Sequence, residues 1–252
     1  MNSYPSWLTH ICATLKPIGI NLVGTCSGKE YQHLLPDCQS IVVFGNYGRG
    51  LWEAFLNDIK QHPQHLSQHQ HPLDDFVLRN IQKSDPSPPS SRRWIRCAAD
   101  EKTFVDFRML AHHAGLGCIS PVGLLIHPEF GLWTGFRAAL LSTQKIPLSP
   151  PSVDVCTSCA TKVCISSCPA QAVQTTGWSV QKCADFHQQS TLCHGRCHAR
   201  LECPIGSSYK HGKLQHEYHN TRTSGRKKLA QQLKIADPYT GIDPNWNSWG
   251  SQ

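Results

Sequence analysis

Apolar positions recur at helical spacing through residues 1–16, "MNSYPSWLTHICATLK", and predict an amphipathic helix at the amino end. Two runs rich in Ile and Val follow, "IGINLVG" (18–24) and "SIVVFGN" (40–46), each closed by glycine or asparagine, and both predict buried strands. The pattern returns to helical spacing over 50–61 and 73–83, the second opened by "HPLDD" with acids in its first turn. Between these helices lies "QHPQHLSQHQHP". Its irregular histidines in a polar, proline-broken tract favour a solvated linker over a metal site. "DPSPPSSRR" (85–93) predicts a second loop. "EKTFVDFRMLAHHAGLG" (101–117) predicts a helix ended by glycine, and "LWTGFRAALLS" (132–142) another, with Trp133 and Phe136 as core or pocket wall. Alternating strands and helices imply an α/β layer structure over residues 1–150.

The composition fits a folded, water-soluble chain. Of 252 residues, 39% are apolar and 8% aromatic, enough to bury a substantial core. No run of about 18 apolar residues is present, so no membrane-spanning helix is expected. The amino end also lacks a basic region, apolar stretch and small-residue cleavage site, which points to a cytoplasmic protein without a membrane partner. The net charge of +7 divides unevenly. Residues 1–150 carry 13 basic against 11 acidic side chains, and residues 151–252 carry 11 against 6. The excess includes "TRTSGRKK" (221–228), read as an exposed basic tail in preference to an RNA-binding patch. The final "DPYTGIDPNWNSWGSQ" is rich in turn formers and reads as irregular.

Cysteine changes the picture most. There are thirteen, and a chain this long without a secretory signal is not a disulfide scaffold. Cys12, Cys26, Cys38, Cys97 and Cys118 are scattered at no ligand spacing and read as small buried residues. The other eight form a pattern: Cys156-x2-Cys159-x4-Cys164-x3-Cys168-Pro169, then Cys183 alone, then Cys193-x3-Cys197-x5-Cys203-Pro204. Eight thiols in two sets, each closed by Cys-Pro, suit two four-iron clusters of the bacterial ferredoxin kind, in which the cysteine before proline serves the distant cluster. By that crossed rule the first cluster takes Cys156, Cys159, Cys164 and Cys203. The second takes Cys168, Cys183, Cys193 and Cys197. Structural zinc is the alternative, with His187, His194 and His198 nearby, although zinc sites favour separated pairs. The expected organisation is α+β: an α/β domain over 1–150, a ferredoxin-like two-cluster 4Fe–4S domain over 151–210, and a basic, largely irregular tail over 211–252.

"HHAGLGCISPVGLLIHPEFGLW" resembles the segment of epoxyqueuosine reductases that runs AGLG, polar turn, LL, then Pro-Glu-aromatic-Gly. "LLPDCQSIVVFGNYG" is similar to that family's proline-bearing turn and strand, and the eight cysteines come in the family's order, the lone Cys183 included. The resemblance spans roughly residues 5–206. It implies a cobalamin-reductase-like amino-terminal domain beside two 4Fe–4S clusters, as in the related reductive dehalogenases. It also implies an electron-donor protein as redox partner, and a small-molecule or tRNA-borne substrate. The family's active-site acid falls on Glu101, with Asp100 beside it, one methylene or one residue displaced from the family's arrangement. Gly115, Gly117, Gly123, His127 and Arg108 are the candidate cofactor contacts. Against these roles, His127 could cap a strand end, Glu129 could fix a turn, and Arg108 and Arg137 could form internal ion pairs. The family's lysine-bearing turn is here "CISPVG", and the helical repeat that holds tRNA is not found in this sequence. The pattern is that of a short, ferredoxin-like branch. Three functions remain open: a reductase using cobalamin, an electron carrier, and a cluster-based redox sensor.

Overall fold

A computed structural model describes residues 4–68, 71–96 and 105–236, without the side chains of residues 222 and 223. In chain order the amino-terminal part comprises α1 (Ser6–Leu15), β1 (Leu22–Ser27), β2 (Ser40–Tyr47), α2 (Gly50–Gln61), α3 (Gln64–Ser67) and α4 (Pro72–Ser84). It continues through β3 (Arg92–Arg96), α5 (Phe107–His113), β4 (Cys118–Ile119), β5 (Leu125–Ile126) and β6 (Thr134–Ser142). The cysteine-bearing part holds α6 (Val163–Ser166), β7 (Val173–Gln174), β8 (Gly177–Trp178), α7 (Val180–Gln189) and α8 (His198–Leu201). Helices α9 (Lys213–Asn220) and α10 (Arg222–Leu233) complete it.

The sheet overturns two expectations. Its order is β1-β2-β6-β3 and every pairing is antiparallel, so the alternation of strands and helices does not build a parallel α/β layer. The fold is α+β. The segment 132–142, expected as a helix, is the central strand β6, flanked by β2 and β3. Alternate residues of β6 feed opposite cores: Ala138 and Leu140 face one, Ala139 and Leu141 the other. β2 does the same, sending Val42 and Phe44 one way and Ile41 and Val43 the other. A strand buried on both faces is apolar throughout and shows no alternation to distinguish it from a helix.

Where β2 pairs with β6, Phe44 stands opposite Ala138 and Gly45 opposite Phe136, which leaves Arg137 as an extra residue in a β-bulge. The bulge frees its side chain, and Arg137 Nε donates to Asn46 Oδ1 at 2.9 Å.

Helices α1, α2 and α4 cover one face through Leu8, Ile11, Phe55, Ile59, Phe76 and Ile81. α5 covers the other through Phe107, Leu110 and Ala111. It is shorter than expected within the described residues and starts at a true cap: Asp106 accepts from the amides of Arg108 (2.9 Å) and Met109 (3.3 Å). The histidine tract is not wholly a linker. It contains the turn α3, whose Leu66 is fully buried, and His65 pairs with Asp58 at 2.8 Å.

Helices α9 and α10 fill most of 213–233, where a basic, largely irregular tail was expected. α9 and α10 pack closely because Gly225 offers no side chain toward Glu217 and Tyr218. Leu229 and Ala230 of α10 are buried in the same core as α1 and α2, and Leu214 and Tyr218 of α9 pack against it. Arg226 is buried and bonds the Leu66 carbonyl. Among the described residues no helix is long and apolar enough to cross a membrane.

The cysteine-bearing part is not a separate bead. Val122, Ile126 and Leu132 share a core with Val173, Ala199 and Cys203.

Candidate functional site

Each thiol is positioned by short-range backbone geometry. Asp154 opens the first loop: its Oδ1 accepts from the amides of Cys156 (2.9 Å) and Thr157 (3.3 Å), and its Oδ2 from the Thr157 hydroxyl (2.7 Å). Such an Asx turn curls the chain around Cys156 and Cys159. Lys162, with left-handed backbone at φ 40°, turns it into α6, which carries Cys164 and delivers Cys168 one residue past its cap. Cys183 rides on α7, capped by Ser179. Cys197 is the cap residue of α8, and Cys203 follows that helix. α6 packs against α8, so the two Cys-Pro sets interleave.

Thiol neighbours sort into two groups. Burial pushes the Cys156 thiol up to about 11, helped by Asp154 and then by Cys203, Cys164 and Cys159. Cys203, from the other end of the segment, is likewise raised by burial and by Cys164 and Cys159. Cys193 is pushed up to about 11 by burial and by Cys197, Cys183 and Cys168. Burial also raises Cys183, with Cys197 and Cys168 adding to it. Only Cys159 is lowered, chiefly because the Lys162 amide donates to it. Among these charge effects Cys203 acts with Cys156, Cys159 and Cys164, and Cys168 with Cys183, Cys193 and Cys197. Thiols that raise one another's pKa resist ionisation together, a penalty that bound cationic metal removes. Among the described residues no three of His, Cys, Asp or Glu converge on a single-ion site.

The remaining candidates fare differently. Glu101 and Asp100 lie outside the described residues, as does Cys97. Cys26, Cys38 and Cys118 are buried and Cys12 half-buried. His127 Nδ1 accepts from the amides of Glu129 (3.1 Å) and Phe130 (3.3 Å), holding the "HPEFG" turn. Burial lowers its pKa, in keeping with a neutral ring whose proton sits on Nε2, and such a ring is not a metal ligand in this arrangement. Arg108 pairs with Asp106 at 3.0 Å and donates to the Gly123 carbonyl at 3.0 Å. Gly123 itself lies against the Trp178 ring. His112 Nδ1 bonds the Gly117 carbonyl at 2.8 Å, and Gly115 abuts the Pro150 carbonyl.

A seam joins this turn to the thiol groups. Gly131, at φ 60°, lies against the Ile205 carbonyl, two residues beyond Cys203, where a side chain has no room. Tyr209 donates to Glu129 at 3.0 Å, and Tyr47 stacks on Phe130 at 3.8 Å. Arg200 reaches back to the Leu132 carbonyl through Nε (3.1 Å) and Nη2 (2.7 Å), its guanidinium 4.7 Å above the Trp133 ring. The Cys197 amide donates to His216 Nε2 at 3.2 Å. Sequence reasoning overlooked Arg200 and His216. Arg200 was visible as a lone cation between Cys197 and Cys203, whereas nothing marks His216 before α9 folds back.

No protein-family model matches the chain. It is similar to the epoxyqueuosine reductase of Staphylococcus aureus, 36% identical over 86 residues, covering 33% of this chain and 21% of that protein. It also resembles the epoxyqueuosine reductase of Synechococcus strain CC9605, 33% identical over 120 residues, covering 46% and 35%. The matches therefore span about a fifth to a third of those relatives' lengths. Among solved structures it resembles the epoxyqueuosine reductase of Bacillus subtilis, with TM-score 0.55 and 16% identity over 81% of this chain and 66% of that one. A C. elegans B12-trafficking protein gives TM-score 0.57 at 10% identity, covering 94% and 98%. A catabolic reductive dehalogenase gives 0.51 at 14%, covering 89% and 35%. At these identities the structural likenesses establish the fold alone.

Proposed function

The chain is a distant relative of the epoxyqueuosine reductases over part of its length, and from that footing we propose that it is an iron–sulfur oxidoreductase. Its two thiol groups hold two 4Fe–4S clusters that pass electrons to a cofactor and substrate on the amino-terminal part. The observation that supports this reading is the spacing of eight cysteines in two sets, each closed by Cys-Pro, whose charges act on one another across the sets.

When bound, each cluster supplies a site that takes and gives one electron. The chain's own residues do the rest. Asp154 and Ser179 set the loops, Cys193 and Cys203 are buried with the other six thiols half-buried, and the Cys197 and Cys203 loops face the sheet through Arg200 and Gly131. Cobalamin is the proposed cofactor, on the strength of the family and of the likeness to a B12-trafficking protein. His127, committed to its turn, would contribute shape and not a cobalt bond. Glu101, with Asp100 in reserve, is the proposed proton donor. The substrate is a small molecule or a tRNA-borne base, as in relatives that act on epoxyqueuosine.

Anaerobic reconstitution tests the reading. The expected content is about eight iron and eight sulfide per chain, with visible absorption that bleaches on reduction. Stoichiometric zinc without sulfide would defeat it.

A further inference from the structure

We infer that the first turn of α9, packed against Trp133, is a binding site for a protonated oxyanion of the phosphate class: free hydrogen phosphate, or the phosphomonoester of a small ligand. The inference stands apart from the iron–sulfur reading and uses none of the cluster cysteines.

α9 begins without a side-chain cap. Gly212 stands at its N-cap position with extended backbone, and the first amide to find an acceptor is that of His216, bonded to the Gly212 carbonyl at 2.9 Å. The amides of Lys213, Leu214 and Gln215 take no acceptor among the described residues. They leave three N–H groups and the positive end of the helix unanswered. Water ordinarily meets such an end.

The surroundings call for an anion instead. Trp133 lies against both ends of the turn, its ring centroid 5.1 Å from that of His211 and 5.9 Å from that of His216. It is 0% exposed, and its Nε1 has no hydrogen-bond partner among the described residues. Both ring nitrogens of His211, the residue before the cap, are buried and equally unpartnered. So is Oε1 of Gln215, a residue of the turn itself that is 2% exposed. Four buried polar atoms around one helix start each carry a desolvation cost that a bound group would remove. Cations collect at the same place. Arg49 Nε donates to the Lys210 carbonyl at 3.1 Å, one residue before His211, and the Arg200 guanidinium lies 4.7 Å over the Trp133 ring. Neither arginine has a carboxylate within 4.0 Å among the described residues. Water satisfies the polar atoms and leaves the charge; one anion answers both.

The inventory of donors and acceptors narrows its chemistry. Trp133 and the helix amides only donate, so the ligand must offer oxygen acceptors. Gln215 Oε1 only accepts, and a neutral imidazole at His211 offers one donor and one lone pair. The ligand must therefore carry a proton as well as negative charge. Hydrogen phosphate and phosphomonoesters do so at mildly acidic pH, whereas sulfate and carboxylates do not. The approach is open, because a side chain built at Gly212 meets nothing within 4 Å.

Calorimetric titration of the full chain, anaerobic and at fixed ionic strength near pH 6, reads the site. Inorganic phosphate should bind once per chain and at least about tenfold more tightly than sulfate. Phenyl phosphate separates the sources: binding at least as tight as inorganic phosphate assigns the site to a ligand's phosphoryl group, and weaker binding assigns it to free phosphate. Gly212→Asp puts a carboxylate on the helix amides. Aspartate is a favoured cap and the space is open, so this variant should melt no lower than the parent yet bind phosphate at least about tenfold more weakly. Gln215→Met removes the acceptor and should bring phosphate to within about threefold of sulfate. Lys227→Gln, at an exposed position of α10, should leave phosphate binding within about threefold of the parent's. Should either site variant fail to fold, the other carries the decision. The inference is overturned by a parent that does not bind phosphate at millimolar concentration or binds sulfate as tightly. Parent-like binding by folded Gly212→Asp, retained selectivity in Gln215→Met, or loss of binding in Lys227→Gln also overturns it.

Discussion

Asp154 and Lys162 show how few side chains are needed to bend a thiol loop: one accepts three local donors, the other adopts a left-handed turn. The cysteines themselves then part company by their next residue in the chain. Cys168 and Cys203 each precede a proline, and each shares charge effects with thiols of the other set. Cys203→Ser should therefore lower the first cluster's EPR signal and iron content while sparing the second, and Cys168→Ser should do the reverse. Loss of the cluster belonging to the mutated residue's own sequence set would show that the two groups are not crossed. Gly131 is a quieter requirement. A side chain there meets the Ile205 carbonyl, so the chain's approach to Cys203 depends on an atom that is missing.

Strand β6 carries the architecture. It lies between β2 and β3, supplies Ala138 and Leu140 to one core and Ala139 and Leu141 to the other, and hands Trp133 to the seam just before it begins. Leu140→Ala removes a fully buried side chain and should cost about 2–5 kcal/mol, read as a lower urea midpoint with an unchanged slope. Were 132–142 a peripheral helix, the same substitution would cost far less. The bulge at Arg137 adds a second consequence: one extra residue frees a guanidinium to bond Asn46 without ending the strand.

Taken as a whole, the molecule concentrates neutral imidazoles where α9 meets the seam. Burial, with Arg200 close by, pushes His211 down to about 2 and His216 down to about 4, and burial holds His219 well below its usual value. Both ring nitrogens of His211 are buried without a hydrogen-bond partner among the described residues. The unfolded chain protonates these rings near 6.5 and the folded one does not, so the stability they contribute is complete above that value. It is lost as pH falls from about 6.5 toward the folded-state values, by about 1.4 kcal/mol per pH unit for each ring. Denaturation followed from pH 7 to 4.5 should show this decline, and His211→Gln should reduce its slope by nearly one ring's share. An unchanged slope would mean that His211 already carries its proton in the folded protein.

Much of this was legible in the linear chain. β2 and the helices α2 and α4 fall within a residue of their expected bounds, because a half-buried helix and a turn-bounded apolar run advertise themselves locally. The eight cysteines announce themselves by spacing, since a tight loop around a cluster needs nearby thiols. What the chain could not announce depends on partners far away in sequence. β6 reads as a helix until β2 and β3 flank it on both sides. The carboxyl-terminal residues read as a tail until α10 lies against α9 at Gly225 and Leu229 enters the core of α1 and α2. Arg200 looks like any surface cation until the Leu132 carbonyl and the Trp133 ring hold it. Local pattern records which face of an element avoids water, whereas antiparallel order, thiol grouping and the environment of a buried charge arise only when distant segments compete for the same interior.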